Sequence, residues 1–162
     1  MIVDYGGVSF MERVKSGHIA SMIVSIVISG LIALSMIIYY VSLISKGMYE
    51  LTAEHVYNII TGFLLSSAPL LILIIANHVV LHTGNIDTVS TVFVLSLVIY
   101  IPLLLIDLGK DFAFFVMAGI GMSIEMGMLA IVMTILHLLS VIPIILTEIY
   151  CYKTKKHGFL YI

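Results

Sequence analysis

The sequence predicts an all-α integral membrane protein with four transmembrane helices and a short re-entrant or interfacial hydrophobic segment before the last helix. Of its 162 residues, 62% are apolar and 10% are charged, whereas an average soluble domain is about 45–50% apolar and about 25% charged. The mean hydropathy is +1.24. Seven basic and nine acidic residues are too few to cover a soluble domain of this length. We therefore expect a single transmembrane domain, residues 1–162, in a lipid bilayer.

The first two helices follow from the distance between charged residues. Residues 16–45 and 55–86 form uncharged stretches of 30 and 32 residues. A helix needs about 20 residues to cross a hydrocarbon core of about 30 Å. Each stretch therefore predicts one span, at about 18–44 and 57–82.

The third predicted span covers about 88–107. Residues 88–106 are 19 uncharged residues rich in Val, Leu and Ile, with Pro102 near their end. Asp107, Lys110 and Asp111 follow within five residues. Charges so close together are typical of a helix boundary, and we expect them to form a charged turn that caps the outer loop and contains local ion pairs.

The last part of the chain is too short for two further spans. Residues 112–124 and 126–147 are uncharged stretches of 13 and 22 residues, separated by Glu125. The favoured assignment is a short segment at about 112–121, flexed at glycines, and a fourth span at about 123–150. The alternative is a span from 112 to about 137, followed by an interfacial helix that begins near Pro143.

The distribution of basic residues predicts the orientation of this bundle. With four spans, five of the seven basic residues lie on the side of the two termini, and two lie on the other side. Because basic residues concentrate on the cytoplasmic side, we expect both termini in the cytoplasm. The five are Arg13, Lys15, Lys153, Lys155 and Lys156, and the two are Lys46 and Lys110.

Small residues repeat at every fourth position in two places, which is typical of helix faces that pack closely in lipid. We expect these faces to contact helices of this chain or of another subunit, and a hydroxyl-lined polar pathway is the alternative. The first stripe contains Gly17, Ser21, Ser25, Ser29 and Ala33, and the second contains Gly119, Ser123 and Gly127.

Three histidines are candidate ligands for haem b or a metal. His78 and His82 are four residues apart, so both lie on one face of the second span. His137 is the twelfth of the 22 uncharged residues 126–147, near the middle of the fourth span, where a polar ring needs a partner. A haem clamp between His78 and His137 requires equal depth, which only the alternative assignment provides, and a solvated or hydrogen-bonded role competes at each histidine.

Glu125 is a candidate proton-carrying residue. In the favoured assignment it marks the outer boundary of the fourth span, and in the alternative it lies within the membrane, where a carboxyl group is protonated or paired. Cys151 is the single cysteine, so the chain cannot form an internal disulfide or a site made of several cysteines.

The predicted function is that of a non-catalytic accessory or anchoring subunit of a larger membrane complex, with respiratory electron transfer as the expected setting and other membrane subunits as partners. The loops are too short for a catalytic domain, and no enzyme motif is present. The absence of a basic excess argues against nucleic-acid binding. Two alternatives are a haem-binding, cytochrome b-like subunit and a small proton-coupled transporter or channel.

Overall fold

The structure is a computed structural model that describes residues 10–48, 50, 52–83, 86–120 and 124–157. The described chain is helical throughout, apart from short turns and connections. Its five helices are α1 (Phe10–Ser45), α2 (Ala53–Thr83), α3 (Ile86–Gly119), α4 (Ile124–Leu139) and α5 (Val141–His157).

Three stretches of the described residues are long and apolar enough to cross a membrane. They are Arg13–Ser45, Ala53–Thr83 and Ile124–Lys153. The third stretch contains α4 and α5, which are separated by a turn at Ser140. The first and second predicted spans lie within α1 and α2, and the third lies within α3.

The charged turn and the separate segment predicted after the third span are not observed. Asp107, Lys110 and Asp111 lie inside α3, which continues without a break through residues 112–119. The expected local ion pair is present between Lys110 and Asp107, but the expectation that these charges end the helix was wrong. Lys110 bonds to Asp107 and Asp111 bonds to His137, so the helix can continue.

The helices form an antiparallel bundle, with α4 and α5 acting together as its fourth member. The α1 helix packs against α2 and α5, and α3 packs against α2 and α4. Side chains fix the register of the α1 and α2 pair, because His18 bonds to Asn77 and Met36 lies beside Gly62.

The interior contains both apolar clusters and buried polar side chains. One apolar cluster joins α1, α2 and α4 and includes Ile32, Leu70 and Met133. Another joins α2, α3 and α5 around Leu73 and Tyr100. The buried polar side chains on α1 include three of the five stripe residues, Ser21, Ser25 and Ser29.

Exposed aliphatic side chains form an apolar belt on α1, α2 and the unit formed by α4 and α5. The belt extends from Ile19 to Val41 on α1, from Val56 to Ile75 on α2 and from Ile124 to Ile149 along α4 and α5. These stretches are roughly 29–38 Å long at 1.5 Å per residue. Their midpoints fall at Gly30, beside Ser66 and at His137.

Candidate functional site

A hydrogen-bonded pair of ionisable residues lies inside the bundle at the middle of the apolar belt. The His137 Nδ1 atom is 2.6 Å from Asp111 Oδ2. The two side chains are 3% and 7% exposed. The other ring nitrogen of His137, Nε2, lies 3.4 Å from the carbonyl oxygen of Ser66. His137 therefore connects α2, α3 and α4.

The His137 ring faces hydrogen-bond acceptors on both sides. A carbonyl oxygen can only accept a hydrogen bond, and an ionised carboxylate can only accept. When Nε2 donates to Ser66, a second proton fits between Nδ1 and Asp111. The pair can thus hold a proton between its two side chains.

Hydroxyl groups extend the hydrogen-bond network around this pair. We call the whole network the His137 cluster, and it consists of His137, Asp111, Tyr100, Ser140 and the Ser66 carbonyl. The Tyr100 hydroxyl is 2.6 Å from Ser140 Oγ and 2.9 Å from the Ser140 carbonyl oxygen. Ser140 Oγ in turn donates to the carbonyl oxygen of His137 at 2.5 Å. The network therefore occupies the turn between α4 and α5.

Asp107 adds a second buried carboxyl group to α3. It is 2% exposed. Its Oδ1 atom accepts a hydrogen bond from Lys110 Nζ at 2.9 Å, while its Oδ2 atom has no hydrogen-bond partner among the described residues. Tyr100, Asp107 and Asp111 share one helix face because they are separated by seven and four residues. Asp107 and Asp111 were expected in an outer-loop turn and not in a buried site, although this spacing was the signal that could have revealed their shared face.

A second buried polar group, the His18 cluster, contains His18, Asn77, Thr147 and Ser21. All four residues are 0% exposed. His18 Nδ1 is 2.8 Å from Asn77 Oδ1. The Asn77 amide group donates to Thr147 Oγ1 and to the Leu73 carbonyl oxygen, each at 2.8 Å. Because the amide nitrogen already has two acceptors, its oxygen is the atom that faces His18.

The His18 cluster also joins α1 to α5. Ser21 Oγ donates to the Pro143 carbonyl oxygen at 2.9 Å, and Thr147 Oγ1 is 2.7 Å from Ser21 Oγ. Tyr150 covers this end of the cluster, because its ring packs directly on Gly17 and lies 6.1 Å from the His18 ring. The absence of a side chain at Gly17 permits this close approach.

The three candidate haem ligands are not brought together. The rings of His78 and His82 contact each other, with centroids 4.3 Å apart, and both residues are exposed. His137 lies at the level of Ser66, twelve residues before His78 on α2, which corresponds to about 18 Å along the helix. Within the described residues, no group of three or more His, Cys, Asp or Glu side chains is arranged to hold a metal ion.

Glu125 lies at the start of α4 and forms an ion pair with Lys46, which follows α1. It also lines an open groove of about 300 Å³ between α1 and α4, together with apolar residues such as Ile38 and Leu129. Glu125 is thus at the end of the bundle, about 18 Å from His137 at twelve residues along α4.

The predicted packing residues have different environments. On α1, Gly17, Ser21, Ser25 and Ser29 are buried within this chain, and Ala33 is half-buried. In the second stripe, Gly127 lies against Ala118 at the α3 and α4 contact, Gly119 is exposed, and Ser123 lies outside the described residues. The buried residues of the first stripe therefore pack against other helices of the same chain.

Comparison with protein-family models, curated proteins and solved structures finds no significant match. The functional conclusion therefore depends on the geometry of the two polar clusters.

Proposed function

We propose that this chain is a four-helix integral membrane protein that transports protons, or a solute coupled to protons, with His137 and Asp111 as the proton-binding pair. The four spans of the proposal are α1, α2, α3 and the unit formed by α4 and α5. Both termini lie in the cytoplasm, because five of the seven basic residues are at that end.

The position of the His137 and Asp111 pair carries this proposal. Placing an ionisable residue at the centre of a membrane helix costs about 2.5–3.5 kcal/mol on insertion scales. Such residues face the interior of the bundle and typically belong to ion or proton pathways. The 2.6 Å contact at the middle of the apolar belt matches this description.

Proton flux into vesicles tests the proposal. The purified chain is reconstituted with a pH-sensitive dye inside the vesicles, and a potassium diffusion potential drives proton entry. We expect flux with the wild-type chain and none above empty vesicles with Asp111→Asn or His137→Ala. The matched control is His78→Ala, because His78 is an exposed histidine outside the cluster.

Two outcomes would overturn the proposal. The first is a wild-type chain that conducts no more protons than empty vesicles. The second is an Asp111→Asn variant that conducts as well as the wild type. An absorbance spectrum of the same sample tests the haem-binding alternative, and we expect no Soret band because the candidate ligands are far apart.

A role as an accessory subunit of a larger complex is a second candidate. The open groove between α1 and α4 favours it, since such a groove can receive a helix of another subunit. The small-residue stripe on α1 no longer supports this role, because its buried residues pack inside the chain. Stoichiometric co-purification of other membrane proteins in mild detergent, together with absent proton flux, would favour this second function.

A further inference from the structure

Three serines of the α1 stripe extend from the His18 cluster to the level of His137. Ser21 belongs to that cluster, and Ser25 and Ser29 follow at intervals of four residues on the same face. All three are buried, at 0%, 0% and 7% exposure. By itself such a stripe is explained by close helix packing.

Two buried hydroxyl groups are not explained by packing. Ser25 Oγ and Ser67 Oγ are fully buried and have no hydrogen-bond partner among the described residues. Other hydroxyls in this chain donate to the carbonyl four residues earlier, as Ser35 and Thr134 do. An unpaired buried hydroxyl costs about 1–3 kcal/mol, and ordered water is its usual partner. These two hydroxyls therefore indicate places where water binds inside the bundle.

The register of the helices places these hydroxyls between the two clusters. On α1 and α2, His18 lies beside Asn77 and Met36 beside Gly62, so Ser25 is level with about residues 70–73 of α2. Ser67 directly follows Ser66, whose carbonyl faces His137. The interval from Ser66 to Asn77 is about 16 Å along α2.

The interior between His137 and the Glu125 end of the bundle is apolar. In the described parts of α1, α2 and α4 that lie between His137 and the Glu125 end of the bundle, the buried side chains are apolar: Ile32, Ala130, Met133 and Leu136. Apolar side chains packed in this way leave no hydrogen-bonding groups for water. The buried polar side chains of these helices therefore lie on one side of His137, where they share the interior with apolar side chains such as Leu70 and Leu73.

We infer that water occupies a serine-lined path from the His18 cluster to His137, and that it enters past the ring of Tyr150, which covers this cluster at the end of the bundle that carries Arg13 and Lys153. That this path carries protons rests on the proposed function. Its existence is a separate property of the interior and can be measured without any transport.

The test uses single cysteines in a Cys151→Ser background. Ser25→Cys and Ser67→Cys place thiols in the path, and Met133→Cys places a matched buried thiol in the apolar half. Vesicles with one orientation are exposed to silver ion from either side, and protected thiols are counted afterwards with a fluorescent maleimide under denaturing conditions. Size-exclusion chromatography verifies that each variant is folded.

We expect silver ion to react with the thiols at positions 25 and 67 from the Arg13 side and to leave the thiol at position 133 unreacted. Equal rates at all three positions, or reaction from the Glu125 side, would overturn the water path. Proton flux without this labelling pattern refutes the path alone. The labelling pattern without proton flux refutes the proposed function and leaves the path in place.

Discussion

A double-mutant cycle on His137 and Asp111 measures how strongly the two residues of the proposed proton site interact. The variants are Asp111→Ala, His137→Ala and the double variant. Each single change leaves one buried polar side chain without its partner, whereas the double change removes both. We therefore expect the double variant to lose clearly less stability than the sum of the two single variants.

The size of this coupling follows from the geometry. Neutral hydrogen bonds between membrane helices couple by about 0.6 kcal/mol on average, with a maximum of about 1.7 kcal/mol. Hydrogen bonds that involve an ionised group are about twice as strong. The contact between His137 and Asp111 is short, at 2.6 Å, and both side chains are less than 10% exposed. We expect a coupling of about 1–3 kcal/mol.

Reversible unfolding in mixed detergent micelles measures the free energy of each variant. A matched cycle on Tyr100 and Ser140 gives the reference for a neutral buried pair, whose oxygens are 2.6 Å apart, and we expect about 0.6 kcal/mol there. If the changes at His137 and Asp111 add within about 0.5 kcal/mol, as independent sites do, the two residues do not form the pair described here.

Two further substitutions, each with a matched control, test the packing and the His18 cluster. Gly17→Ala places a methyl group against the ring of Tyr150 and should destabilise the protein by about 1–3 kcal/mol. Gly30→Ala, with open space around it, should instead stabilise the helix by about 0.5–1 kcal/mol. Asn77→Ala should cost at least about 1–3 kcal/mol because it leaves buried groups unpaired. Ser35→Ala, whose hydroxyl bonds only to its own helix, should stay within about 0.5 kcal/mol. Thermal unfolding in detergent checks all four, and equal effects within either pair would contradict the described contacts.

The helices were largely predictable because uncharged length is a direct physical requirement for crossing a membrane. The uncharged stretches 16–45 and 55–86 lie close to α1 (Phe10–Ser45) and α2 (Ala53–Thr83). The same rule failed at Asp107 and Asp111, because it treats every charge as the end of a helix. A charge can lie inside a helix when a distant residue pairs with it, and Asp111 is 26 positions away from its partner His137.

Spacing along a helix predicts which residues share a face but does not predict which way that face points. His78 and His82 share a face as expected, and that face is exposed. The neighbouring residue Asn77 is fully buried and forms the centre of the His18 cluster. Which face of α2 is buried depends on where α1 and α5 pack against it. The sequence of α2 alone does not determine this.

The turn at Ser140 shows how this apolar chain tolerates a polar interior. Pro143 has no backbone N–H, so it cannot donate to the carbonyl of Leu139 four residues earlier. Near this break, the hydroxyl groups of Ser140, Tyr100 and Ser21 donate to the carbonyl oxygens of His137, Ser140 and Pro143. Polar side chains from α1, α3 and α4/α5 thus meet beside the break.

Stability alone does not require the polar side chains in the bundle. A buried ion pair can often be replaced by well-packed apolar residues without loss of stability, and most of this chain is already apolar. The polar residues are also unevenly distributed, because in α1, α2 and the unit formed by α4 and α5 the described buried polar side chains lie from the level of His137 towards Arg13. The asymmetry is the one expected of a proton site that is reached from one side of the membrane in this conformation.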